Sequence, residues 1–238
     1  TSSNMNCNEI IANRASELMG GEIGSRDPIH PNNHVNMGQS SNDVIPTAIH
    51  IAANIEIEKS LIPNLNLLAN TLNEKSNEFA SIIKIGRTHL QDATPITLGQ
   101  EFSGYAQMIK NGVARLKNSQ KDLSKLAQGG TAVGTGINTK KDFGKNVAKE
   151  ISAFTGVNFM ETINHFEAQA TQDAAVATSG ALKTVAVSLS KIANDIRLLG
   201  SGPRAGLGEL ILPAVQPGSS IMPWKLNPVI CESVIQIC

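Results

Sequence analysis

Between Phe166 and Leu199, alanine, valine and leucine fall on most faces of a helix instead of along one stripe. A helix that is apolar nearly all round cannot stand at a monomer surface; it is buried in a large bundle or in an oligomer. Two further long segments carry helical spacing. Ile49, Ala52, Ala53, Ile55, Leu61, Leu65, Leu68 and Leu72 recur at such steps through about Phe79. Pro63 predicts a kink within that run. Another long helix is expected from Thr97 to about Leu126, with shorter ones over roughly Lys141 to Phe154 and Asn8 to Leu18. Three helices of ~30 residues, each ~45 Å long, make an all-α, long-helix bundle. Strand signals are weak.

Charge and composition remove several function classes. The 238 residues carry 20 Lys and Arg against 20 Asp and Glu, so there is no basic field for nucleic acid and no acidic tail. Aromatic residues are 3% of the chain, too sparse for a base-stacking surface. No apolar run approaches the ~20 residues needed to cross a bilayer. Cys7, Cys231 and Cys238 lack metal-ligand spacing and read as thiols of a reducing compartment. No HExxH, paired CxxC or EF-hand loop is present, so metal catalysis has little support. The chain opens at Thr1 without an initiator methionine or leader and stops at Cys238 in an apolar run, and it is read as a fragment.

Four polar segments interrupt the helical pattern: Thr1 to Asn6, Gly38 to Asp43, Gly86 to Ala93, and Gly218 to Pro228. The last, Gly-Ser-Ser-Ile-Met-Pro-Trp-Lys-Leu-Asn-Pro, is poor material for a helix or strand. It suits a loop that turns backbone N–H groups, hydroxyls, a cation and an amide towards one anionic ligand. Together the four segments offer hydroxyls, amides, His89, Arg87 and Lys225, a set that holds a small dicarboxylate by neutral and charge-assisted hydrogen bonds. Singly, each has a plainer explanation. Asp43 before Pro46 reads as a helix cap, His89 as a structural histidine and Arg87 as a surface ion pair. The glycine-rich stretch Gly129 to Gly136 lacks the Lys-Ser/Thr of a phosphate loop and follows no strand. It is either a tight helix–helix connection or a substrate-lining turn.

The loop resembles the signature Gly-Ser-x-x-Met-x-x-Lys-x-Asn of the fumarase/aspartase superfamily, and every fixed position is present. Asn36-Met37-Gly38-Gln39-Ser40-Ser41-Asn42-Asp43 and Gly86-Arg87-Thr88-His89-Leu90-Gln91-Asp92-Ala93 are similar to two further regions of the class II fumarase family, in the right order. The resemblance implies the central helical domain of that superfamily over 1–238, with 1–43 a mixed lead-in of loop and short helix. N- and C-terminal domains would lie outside this chain. It further implies a homotetramer whose active sites are shared between subunits. That resemblance implies hydration of fumarate to (S)-malate without metal or organic cofactor, in the tricarboxylic acid cycle, in the cytoplasm or the mitochondrial matrix.

Carried over by position, Ser219 matches the base that removes the C3 proton of malate. Lys225 and Asn227 match the residues that hold the carboxylate beside the developing carbanion. His89 matches the histidine that works through a water on the C2 hydroxyl, and Glu232 its charge partner. Thr1, Asn4, Ser40, Ser41, Asn42 and Thr88 match substrate-binding positions. His30 and Asn32 resemble part of a second, non-catalytic anion site. The chain departs from the family at Trp224, where glycine is usual, and at Asn33-His34, where two acids are usual. Aspartate ammonia-lyase shares the fold, but Ser41 and His89 stand where aspartases carry threonine and glutamine. A non-enzymatic helical scaffold is the other alternative, and the intact Ser219, Lys225, Asn227, His89 and Glu232 set argues against it.

Overall fold

The computed structural model describes residues 2–238. It is mostly helical, as expected. In order come α1 (Ser2–Leu18), α2 (Ser41–Glu56), α3 (Ile62–Glu78), β1 (Ile83–Thr88), β2 (Gln91–Thr97), α4 (Leu98–Leu123), β3 (Lys125–Leu126), α5 (Phe143–Thr155), β4 (Met160–Glu161), α6 (His165–Ala170), α7 (Asp173–Leu199) and α8 (Val229–Ile237). The described residues fall into two compact units. One comprises the chain up to Ser60 with Asn118–Ala177, the other Leu61–Lys117 with Thr178–Cys238.

The first unit is built around α2 and α5. Leu126, Ala148, Val157 and Phe159 form its buried core, with Ile51, Ile55 and Ile151 packed against it. The short parallel pair β3–β4 sets Lys125 beside Met160 and Leu126 beside Glu161. The polar stretch at the start of the chain is helical from Ser2, not an interruption. Its asparagines are weak helix formers, but tertiary bonds hold them. Asn8 donates to Asn36 Oδ1 at 2.9 Å, and Asn4 donates to Gln39 Oε1 at 3.2 Å.

In the second unit one face of α4 is buried along Phe102, Tyr105, Ile109, Val113 and Leu116, at three- and four-residue steps. Phe102 meets Phe79 edge to face at 5.2 Å and Tyr105 at 5.4 Å. At Gly112 the helix lies so close to α7 that a Cβ there would stand 3.0 Å from Val185 Cγ2.

Three further elements differ from expectation. The interruption before Pro63 is a five-residue π turn, Ile57–Leu61, feeding α3 with the proline in its first turn. A proline clashes with the carbonyl four residues back, and a π insertion is one way to relieve that. The long run from Phe166 is two helices, broken at Thr171, whose backbone is extended and whose hydroxyl donates to Asp173. The third is an antiparallel hairpin, β1–β2, over what reads as a polar loop. Its register shifts between Ile85 and Arg87.

Candidate active site

The start of α2 collects several of the candidate site residues of the first unit. Ser40 is the N-cap, its hydroxyl accepting from Asn42 N–H at 3.2 Å. Asp43 is therefore not the cap. It is the third helical residue, returning one carboxylate oxygen to Ser40 N–H at 3.2 Å and closing a capping box. Its other oxygen, fully buried, accepts from Gly129 N–H at 3.1 Å, Thr131 N–H at 2.9 Å and the Gln128 amide at 3.3 Å. The glycine-rich loop is thus clasped onto the helix start. Gly129, at φ +108°, also lies so close to the start of α5 that a Cβ there would stand 2.8 Å from Gly144 Cα. Asn42 adds a bond from its amide to Ala132 O at 2.8 Å. Asn4, Ser40, Ser41 and Asn42 are brought to one place, with Ser41 and Asn42 exposed. Thr1 lies outside the described residues.

His30 and Asn32 stand at the start of a further π turn, Pro31–Val35, with His30 as its N-cap. His30 Nδ1 accepts from the N–H groups of Asn32 at 3.1 Å and Asn33 at 3.3 Å, so this imidazole caps the turn. Asn33 and His34 stand where the resemblance implies two acids, and His34 Nδ1 accepts from His30 N–H at 2.9 Å.

In the second unit His89 and Leu90 are the two central residues of the β1–β2 turn, at φ +54° and +61°. Paired positive φ values define the turn that matches strand twist, and it favours Asn-Gly. A histidine and a leucine there store about 1–3 kcal/mol each. His89 is exposed at the tip, with Thr88 exposed beside it. Thr88 and Arg87 line a cavity of about 420 Å³ with Lys84, Glu101, Lys191 and Asp195.

The signature loop makes its own concavity of about 680 Å³, lined by Gly218, Ser219, Ser220, Pro223, Trp224 and Leu226 among others. Ser219 O accepts from Met222 N–H at 3.0 Å, and Met222 O from Lys225 N–H at 3.1 Å. These turns coil the chain over Gly218, where a Cβ would collide with the carbonyl oxygens of Met222 and Pro223. Ser219, Lys225 and Asn227 are exposed, while Glu232 is half-buried in the first turn of α8. The cavities holding Thr88 and Ser219 share no lining residue. Trp224 is 91% exposed.

The structure also assembles a charged cluster that the sequence does not announce. Lys84 Nζ lies 2.5 Å from Glu101 Oε2 and 2.6 Å from Glu209 Oε2, and Arg87 pairs with Glu209 Oε1. Burial pushes the Glu209 carboxyl up, but hydrogen bonds from Arg87 and Lys84 outweigh it and hold the group below the usual carboxylate range. The Glu209 bond raises the Arg87 guanidinium in turn. Tyr105 O–H faces two carboxylates, Asp195 at 3.0 Å and Glu101 at 3.2 Å. Burial, then those charges, push the phenol well up. Among the described residues no three His, Cys, Asp or Glu side chains converge as metal ligands, and no helix is long and apolar enough to cross a membrane.

The family described as Lyase matches residues 1–238. The chain is 60% identical over 238 residues to fumarate hydratase class II 2 of Bradyrhizobium diazoefficiens, covering 50% of that protein. It is 61% identical over 238 residues to the mitochondrial fumarate hydratase of Rhizopus oryzae, covering 48% of it. The crystal structure of recombinant class II fumarase from Schistosoma mansoni matches with a TM-score of 0.96 at 44% identity, over 100% of this chain and 53% of that one. The chain therefore spans about half the length of the relatives it matches.

Proposed function

Because the chain belongs to the lyase family, matched over residues 1–238, we propose that it is the central helical domain of a class II fumarate hydratase. The full protein adds water reversibly to fumarate, giving (S)-malate, as part of the tricarboxylic acid cycle. It works in the cytoplasm or, in a eukaryote, the mitochondrial matrix. The observation that carries this reading is about 60% identity, over the whole chain, to proteins named fumarate hydratase.

In the dehydration direction, Ser219 as alkoxide takes the C3 proton of malate. Loop N–H groups and Lys225 make that alkoxide accessible. The electron pair left on C3 spreads into the adjacent carboxylate as an aci-carboxylate, where Lys225 and Asn227 donate. It then forms the double bond as the C2 hydroxyl leaves as water, taking a proton relayed from His89. Glu232 keeps His89 in one tautomer. Asn4, Ser40, Ser41, Asn42 and Thr88, with Thr1, hold the substrate. His30 and Asn32 belong to a second anion site.

The separate cavities of Thr88 and Ser219 support an active site assembled from more than one subunit. Exposed apolar side chains along α7, among them Val176 and Val187, support a homotetramer in which that helix is covered. The reading is tested by giving the full-length protein fumarate, malate and aspartate in turn and following ultraviolet absorbance. Interconversion of fumarate and malate is expected, with aspartate untouched. Release of ammonia from aspartate without action on malate overturns it in favour of aspartate ammonia-lyase. No reaction with any of the three favours the scaffold.

Trp224 gives a second test. Glycine leaves a moving loop free, whereas tryptophan restricts it. Trp224→Gly in the full-length protein is expected to keep or raise kcat, since the exposed ring only hinders closure. A large drop in kcat would mean instead that the ring has been recruited to hold the loop.

A further inference from the structure

Glu209 lies ten positions before Ser219 and far in sequence from the hairpin, yet both its oxygens face β1. Its backbone is fixed from the other side, because Glu209 N–H donates to Leu199 O at the end of α7 at 2.9 Å. Gly208 N–H reinforces this by donating to Ser201 O at 2.9 Å. Lys84 and Arg87 sit on either side of the register shift at Gly86, and Arg87 is two residues from the strained tip. All the side chains of this junction are largely buried. Lys84 is 9% exposed, Arg87 18% and Glu209 19%. Glu101 on α4 completes it through Lys84.

An irregular two-stranded hairpin with two left-handed residues at its tip is marginal by itself. Something outside the hairpin has to fix it, and the only carboxylate among the described residues that pairs with both of its cations is Glu209. We infer that Glu209 is a positioning residue for His89, clamping β1 through Arg87 and Lys84 to the segment that leads into the signature loop. The clamp joins the two polar segments of this unit and sets where the imidazole stands. The inference rests on the fumarate hydratase reading, in which His89 acts on the substrate hydroxyl.

The experiment is a double-mutant cycle in the full-length enzyme, reading kcat and KM for malate dehydration. Glu209→Gln keeps the shape of the side chain and removes its charge. It is expected to lower kcat about 10- to 100-fold, the effect of a misplaced catalytic group, with KM changing much less. In a His89→Asn background, where Ser219 still supplies a measurable rate, the same change should alter kcat less than about twofold, because a group that acts through His89 has nothing left to position. An equal fold-loss in both backgrounds assigns Glu209 a general structural role and overturns the inference, as does a wild-type kcat in Glu209→Gln alone. If Glu209→Gln does not fold, Arg87→Lys, which keeps the charge and loses the forked geometry, is carried through the same cycle with the same outcomes. An unmodified enzyme that leaves malate untouched refutes the fumarate hydratase reading instead, so the two failures are distinguishable.

Discussion

Ser219→Ala in the full-length protein is expected to lower kcat by about 10²–10⁴-fold, the range for removing a positioned general base. KM should move little, because in the proposed mechanism the hydroxyl is used in the transition state more than in binding. The geometry makes this a clean substitution. The bonds that shape the loop at this point run from Met222 N–H to Ser219 O and from Lys225 N–H to Met222 O, all main chain. The side chain is exposed. Loss of the hydroxyl therefore leaves the fold and the assembly as they were, which size-exclusion chromatography checks alongside the rate. A variant with near-normal kcat removes Ser219 from the chemistry.

The largest effect on stability is expected at Asp43. Asp43→Ala removes the acceptor for four donors at once: the N–H groups of Ser40, Gly129 and Thr131 and the Gln128 amide. A buried donor left without a partner costs about 1–3 kcal/mol, and the alanine leaves these at a site closed to water. We expect a loss of about 3–5 kcal/mol, comparable to breaking a buried charge network and a large share of the 5–15 kcal/mol that holds a typical domain. Urea unfolding of the full-length protein measures it. A midpoint unchanged from the parent would mean that the loop finds other acceptors. Activity should fall with stability here, since the start of α2 carries Ser40, Ser41 and Asn42, which hold the substrate in the proposed mechanism.

Long helices and polar interruptions are legible in this sequence because each is a local property. The apolar period of α4 is visible in residues three and four apart, and proline, glycine and serine mark where the pattern stops. The capping of α2 is half-legible. Ser40 and Asp43 both suit a helix start, and only the backbone settles that Ser40 is the cap while Asp43 reaches inward. The hairpin is not legible. Gly86, Pro95 and Asp92 all argue against strands, and its support comes from elsewhere in the chain. The break at Thr171 is equally hidden, because the alanines around it favour a continuous helix. The charged cluster is the furthest from reach. Arg87 and Glu209 are 122 positions apart, and nothing local in either segment names the other. Of the candidate site, the residue types could be read from the sequence, and the way they are held could not.

The His89–Leu90 turn also bears on how far such an enzyme can be stabilised. Asparagine at 89 and glycine at 90 would relax both backbones, so selection for thermal resistance alone pushes towards the very replacement that deletes the imidazole. On the proposed reading, durability and turnover meet at a single hairpin tip, and a redesign guided by backbone relaxation alone would yield a sturdier protein and a slower one.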